Sequence, residues 1–220
     1  MPLPGLCWVG ASNIENRMVI PVTAQLLEET VTLAEQRLLL PGYYSWEQFE
    51  AIESLMADSP GLRITYLDGW IEFMTLGEEH ESFKKAIAIL LEAYFFELGI
   101  EFFPVGSATR RDRARDVSFE PDESYYIGSI KEHPDLAVEV TMTSGSTNKI
   151  AKYLRLRIPE VWFWENNQLA VYGLREDNYE QVSRSELLPE LDLELLVRCV
   201  LIPSRIQART EFINGIRQVG

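Results

Sequence analysis

Pro134-Asp135-Leu136-Ala137-Val138-Glu139-Val140 is a short apolar run with a glutamate in its middle. Its length and branched aliphatic content read as a buried strand. Side chains alternate along a strand, so Leu136, Val138 and Val140 face one core while Asp135, Ala137, Glu139 and Thr141 face the other way. Packing gives no reason for Glu139. Ionised, buried and unpaired, it would cost several kcal/mol, so it needs a cation or a rim position.

The flanks supply partners. A strand predicted over 116–120 is followed by Pro121-Asp122, where a side chain can reach across a sheet edge. A helix predicted from about Ser146 to Arg157 carries Asn148-Lys149 near its start and ends before Pro159. Asp122 and Glu139 together can share Mg2+ or Mn2+, hard ions that accept carboxylates, waters and phosphate oxygens. Lys149 is the candidate ammonium for stabilising charge on a phosphate, with Lys152 in reserve.

Charge distribution isolates the same region. The net charge of −14 argues against a general nucleic-acid binder. Residues 1–109 hold 5 Lys+Arg against 16 Asp+Glu and residues 158–220 hold 6 against 10, whereas residues 110–157 hold 9 against 8. Arg110, Arg111, Arg113 and Arg115 cluster just upstream of Asp122; a solvated mixed-charge loop is the alternative reading.

With 220 residues and 46% hydrophobic content, one substantial core suffices. Cys7 and Cys199 are far apart and fit incidental thiols of a reduced, cytoplasmic protein. Met1 to Val9 lacks a basic leader, and no apolar run reaches the ~20 residues of a membrane helix.

In residues 22–40, Leu26, Leu27, Val31, Ala34 and Leu38 lie near helical spacing, and a helix is expected there. Ser45 is the expected N-cap of a helix over Trp46–Met56. Asp68-Gly69 marks a hairpin between Leu62–Tyr66 and Trp70–Met74, and Asn166-Asn167 a second between Glu160–Glu165 and Gln168–Leu174. The strongest helix is expected from about Glu79 to Leu98, stopped by Gly99. Strands are expected at 101–105, 116–120 and 136–141, and C-terminal helices at Asp192–Val200 and from Ser204 to about Arg217. This order indicates an α/β sandwich with a mixed sheet. No Gly-x-Gly-x-x-Gly turn follows a strand, which argues against a dinucleotide fold.

Glu120-Pro-Asp-Glu-Ser-Tyr-Tyr, Pro134-Asp-Leu-Ala-Val-Glu-Val and Lys149-Ile-Ala-Lys-Tyr-Leu-Arg-Leu-Arg-Ile-Pro-Glu-Val-Trp-Phe-Trp resemble the Uma-type family, assigned to the restriction-endonuclease-like PD-(D/E)XK superfamily. The resemblance reaches back through Tyr66-Leu-Asp-Gly-Trp-Ile-Glu-Phe-Met and Glu79-His80-Glu81, covering roughly Ser45 to Val200. It implies a restriction-endonuclease-like α/β fold with a mixed central sheet. It also implies Asp122 as the motif aspartate, Glu139 as the second acid, and Mg2+ as cofactor. The superfamily pattern places a lysine two residues after the acid, where this chain has Thr141; Lys149 on the following helix fits the Uma-type branch. Thr65 stands where many relatives have an acid.

Glu79, His80 and Glu81 can lean over such a site; the alternative is compensation of the helix dipole. With only His80 and His133, a histidine-rich zinc centre is excluded in practice. His133 and Asp135 read as loop and turn residues. Ser144-Gly145-Ser146 lacks the nucleophile-elbow pattern, and Trp162, Phe163 and Trp164 read as packing.

The expectation is therefore an N-terminal extension over 1–44, mostly helical, a restriction-endonuclease-like domain over 45–200, and a C-terminal helix over 201–220. The expected activity is metal-dependent hydrolysis of DNA in the cytoplasm, with homodimerisation as a further expectation from the need to cut two strands. The competing expectation is a catalytically weak or inactive nuclease fold serving as an interaction module.

Overall fold

A computed structural model of the chain describes residues 35–142 and 149–219. The chain runs from strand β1 (Gln36–Leu39) to helix α1 (Trp46–Leu55) and the hairpin β2 (Leu62–Leu67) and β3 (Trp70–Thr75). Helix α2 (Glu78–Leu98) leads to β4 (Phe102–Pro104), β5 (Arg110–Asp112), β6 (Val117–Phe119), β7 (Glu123–Ile127) and β8 (Leu136–Thr141). Then come α3 (Ile150–Leu156), β9 (Glu160–Glu165), β10 (Gln168–Leu174), β11 (Tyr179–Val182), α4 (Leu193–Val200) and α5 (Arg205–Val219).

The punctuation follows local chemistry. Ser45 and Gln48 form a reciprocal capping box at the start of α1. Gly99, at φ +65°, closes α2, and the Ile100 amide bonds back to the Phe95 carbonyl. Asn166 and Asn167, at φ 52° and 59°, make the β9–β10 turn, since asparagine tolerates the left-handed region.

The strands form two sheets: a five-stranded antiparallel sheet in the order β1-β3-β2-β6-β5 and a six-stranded sheet in the order β11-β10-β9-β8-β7-β4. The second is mixed, because β8 and β9 run parallel and its other neighbours antiparallel.

Alternation divides the second sheet as the central apolar run requires. Leu136, Val138, Val140, Trp162 and Trp164 join Leu90, Tyr94 and Phe95 of α2 and Phe212 of α5 in the main core. Ala137, Val161 and Phe163 face the opposite way, onto Tyr153 and Leu156 of α3 and Val117 and Phe119 of β6. Each fully buried large side chain contributes roughly 1.5–3 kcal/mol, so this two-sided burial dominates the stability. Glu160 is a buried anchor: its carboxylate accepts from Trp162 Nε1 at 2.6 Å, Ser185 Oγ at 2.6 Å and the Glu186 amide at 2.7 Å.

Three expectations need correction. Residues 36–39 form an edge strand, whereas a helix was expected; the rest of that segment up to residue 34 lies outside the described residues. Arg110–Asp112, a loop in the alternative reading, is a strand, and Glu123–Ile127 and Tyr179–Val182 are strands that were not expected. The neighbour of β8 is therefore β7, which Asp122 precedes; the strand expected over 116–120, observed as β6, belongs to the other sheet. The expected start of α3 near Ser146 lies outside the described residues.

Candidate active site

β7 and β8 pair antiparallel with Glu123 opposite Val138 and Ser124 opposite Ala137. One further step along this register sets Asp122 opposite Glu139. Facing residues of an antiparallel pair project on the same side, with Cβ atoms ~5 Å apart. Asp122 and Glu139 are each 1% exposed. Asp122 also completes the ladder, because its Oδ2 accepts the Val140 amide at 2.7 Å.

Cations from several elements surround these carboxylates. On Glu139, Oε1 lies 2.6 Å from Lys152 Nζ and also accepts the Tyr153 hydroxyl. Oε2 of Glu139 faces Lys149 Nζ at 3.8 Å, too long for a hydrogen bond. Lys149 donates to Thr141 Oγ1 at 3.0 Å, so an ammonium from the next helix stands at the strand position that the superfamily pattern gives to a lysine. On Asp122, Oδ1 lies 2.5 Å from Arg63 NH1 and 2.9 Å from His80 Nε2. His80 Nδ1 contacts Glu35 Oε2 at 3.0 Å, and Glu35 is in turn held by Arg37 Nε at 2.6 Å.

The electrostatics reinforce the pairing. Burial acts to lower the His80 pKa, but the hydrogen bonds and charges of Asp122 and Glu35 outweigh it and raise it to about 9. Burial acts to raise Glu35, and His80, Arg37 and Lys149 override it, bringing it down to about 2. Asp122 is also driven down against its burial, chiefly by His80 and then Arg63 and the Val140 amide. Burial lowers Lys149, partly offset by the Glu139 charge. Burial, with the adjacent Glu139 carboxylate, pushes the Tyr153 hydroxyl well up.

The sequence-predicted residues Asp122, Glu139, Lys149, Lys152 and His80 thus converge. Lys152 makes the shorter contact with Glu139, although Lys149 is the primary sequence choice. Glu79 is exposed on the first turn of α2, away from the buried cluster, and Glu81 pairs with Lys84. Arg63, Glu35 and Tyr153 escape a sequence reading. Arg63 carries a weak signal as the cation in the otherwise uncharged strand Leu62–Leu67.

For a hard divalent ion, the donor type fits: two carboxylates on one sheet face, with Glu139 Oε2 held only loosely. Occupancy requires exchange, because Arg63 and His80 already take Asp122 Oδ1 and Lys152 takes Glu139 Oε1. Among the described residues, no group of three or more His, Cys, Asp or Glu side chains is arranged to hold a metal. The fit therefore rests on Asp122 and Glu139.

The arginine cluster is largely neutralised. Arg111 pairs with Glu53, Arg113 with Glu47, and Arg115 with Asp112 at 3.1 Å. Asp135 serves its turn, accepting the Ile127 amide at 2.8 Å. Among the described residues, no helix is long and apolar enough to cross a membrane.

The α/β architecture and the site geometry define a restriction-endonuclease-like fold. Residues 46–202 match the family profile described as "Uma2: Putative restriction endonuclease". The match covers most of the chain, which belongs to this family, a nuclease family whose substrate is nucleic acid. No curated protein matches the chain.

Proposed function

We propose that the protein is a metal-dependent endonuclease that hydrolyses DNA phosphodiester bonds, with Asp122, Glu139 and Lys149 as the catalytic set and Lys152 supporting it. The observation that carries this reading is the placement of Asp122 beside Glu139 on one sheet face, with Lys149 and Lys152 against the second acid. Asp122 and Glu139 would hold Mg2+, with Mn2+ as a substitute. When bound, the ion supplies a polarised phosphate and a water of lowered pKa.

The chain's own groups do the rest. Lys149, anchored on Thr141, presents an ammonium to charge growing on the phosphate oxygens. Its depressed pKa eases proton exchange with a water or leaving oxygen. Tyr153 and Lys152 fix the Glu139 carboxylate in one orientation. Arg63 and His80 do the same for Asp122, and His80 is steadied by Glu35.

The test is nicking of supercoiled plasmid with Mg2+ or Mn2+, compared with Glu139→Gln. Cleavage by the wild type that chelator and Glu139→Gln both abolish supports the reading. A broad panel of DNA and RNA substrates left intact with either metal overturns it.

A second reading has its own support. Protein cations neutralise both carboxylates, and the in-strand position holds Thr141, as expected of a nuclease fold retained as a binding module. It predicts weak metal affinity and nucleic-acid or protein binding indifferent to Glu139→Ala.

A further inference from the structure

Arg110 at the start of β5 is a cation that pairs with no carboxylate among the described residues. Its NH1 donates to the Tyr126 hydroxyl at 3.1 Å, and its guanidinium lies 5.7 Å from the centre of that ring. Its Nε and NH2 are buried and have no hydrogen-bond partner among the described residues. Unfilled buried donors on a charged group are costly and rare, and they point to a ligand.

His133 supplies a second unfilled donor. Arg115 NH1 approaches its Nε2 at 3.4 Å, and arginine can only donate, so Nε2 is the acceptor. The neutral ring then carries its hydrogen on Nδ1, and that atom is buried without a partner among the described residues. Burial lowers the His133 pKa and favours this neutral ring, which feels the charges of both Arg115 and Arg110. The neighbouring acids are elsewhere engaged: Asp112 pairs with Arg115, and Glu132 is a largely exposed side chain 3.8 Å from His133 Nε2.

We infer that Arg110 and His133, oriented by Tyr126 and Arg115, form a binding site for a phosphate group of a nucleic-acid strand. The free Nε and NH2 of Arg110 form the guanidinium edge that takes two oxygens of one oxoanion, and His133 Nδ1 can take a third. A single unpaired positive charge matches the single negative charge of a phosphodiester. Tyr126 lies four residues beyond Asp122, on the same side by alternation, so the site is about 13 Å from the acid pair. The choice of a strand as the bearer rests on the nuclease reading; the phosphate chemistry does not.

The test uses the full chain in chelator, so cleavage plays no part. Inorganic phosphate, against chloride at equal ionic strength, should raise the melting temperature of the wild type and leave Arg110→Gln unmoved. Without phosphate, Arg110→Gln should melt no lower than the wild type, since it removes an unpaired buried charge. Arg110→Lys keeps the charge without the two-pronged edge and should respond weakly. Binding of a fluorescent DNA duplex should weaken on the order of tenfold in Arg110→Gln, with the log–log salt slope smaller by about one. Equal phosphate response in wild type and Arg110→Gln removes the site. Loss of the phosphate response with unchanged duplex affinity and slope removes the strand as its bearer. Either result is independent of whether the wild type cuts DNA when metal is supplied.

Discussion

Lys152 Nζ sits 2.6 Å from Glu139 Oε1 in the interior, and both side chains are almost wholly enclosed. Removing one member of such a buried pair costs about 3–5 kcal/mol, because the other charge is left uncompensated. Glu139→Gln should therefore lower unfolding stability by at least ~2 kcal/mol in urea titrations, since the amide keeps one acceptor for Tyr153. Adding Lys152→Met should restore part of the loss, so the double variant loses less than the two singles combined by ~1 kcal/mol or more. Strict additivity would show that the pair is not coupled.

Metal affinity has a readout separate from catalysis. A ligand that binds only the folded chain stabilises it by about 2.7 kcal/mol at a hundredfold excess over Kd. Mn2+ should thus raise the melting temperature of the wild type and have no effect on Glu139→Gln. Equal shifts in both proteins would place the ion elsewhere.

The His80 ring sets an alkaline limit. Its pKa rises from 6.5 to about 9 on folding, so its contribution is complete below pH 6.5 and disappears as pH climbs through 9. Stability measured by denaturant titration should fall across that window in the wild type and fall less in His80→Asn. Glu35 has the opposite sign: lowered from 4.5 to about 2, it contributes above pH 4.5 and its share is lost as pH drops toward 2.

Glu160 should matter for stability without touching the site. Glu160→Ala strips acceptors from Trp162, Ser185 and the Glu186 amide, at ~1–3 kcal/mol for each donor left buried. Hydrogen exchange should accelerate first at Glu186 and Leu187, whose amides both donate to Glu160 Oε2. Unchanged protection there would contradict the anchor role.

Glu139 is legible in the sequence because an acid inside Leu136–Thr141 conflicts with its neighbours' burial. Asp122 is legible by motif, yet its strand is not: Glu123-Ser124-Tyr125-Tyr126 carries polar residues that are buried only in the assembled sheet. The division into two sheets depends on Tyr66 pairing with Ser118, a long-range contact with no local signature. Gln36–Leu39 mimics a helix because Leu38 continues the near-helical spacing of Leu27, Val31 and Ala34, although Leu38 and Leu39 lie exposed on an edge strand. Arg63 and Glu35 join the site only through tertiary packing, so spacing along the chain cannot announce them.

The bond from the Val140 amide to the Asp122 carboxylate has a practical corollary for anyone knocking out this protein. A carboxylate there stands in for a main-chain carbonyl, and truncating it to alanine unzips the end of the β7–β8 ribbon along with whatever chemistry it performs. Asparagine, which keeps an oxygen for that rung, is the cleaner inactive control.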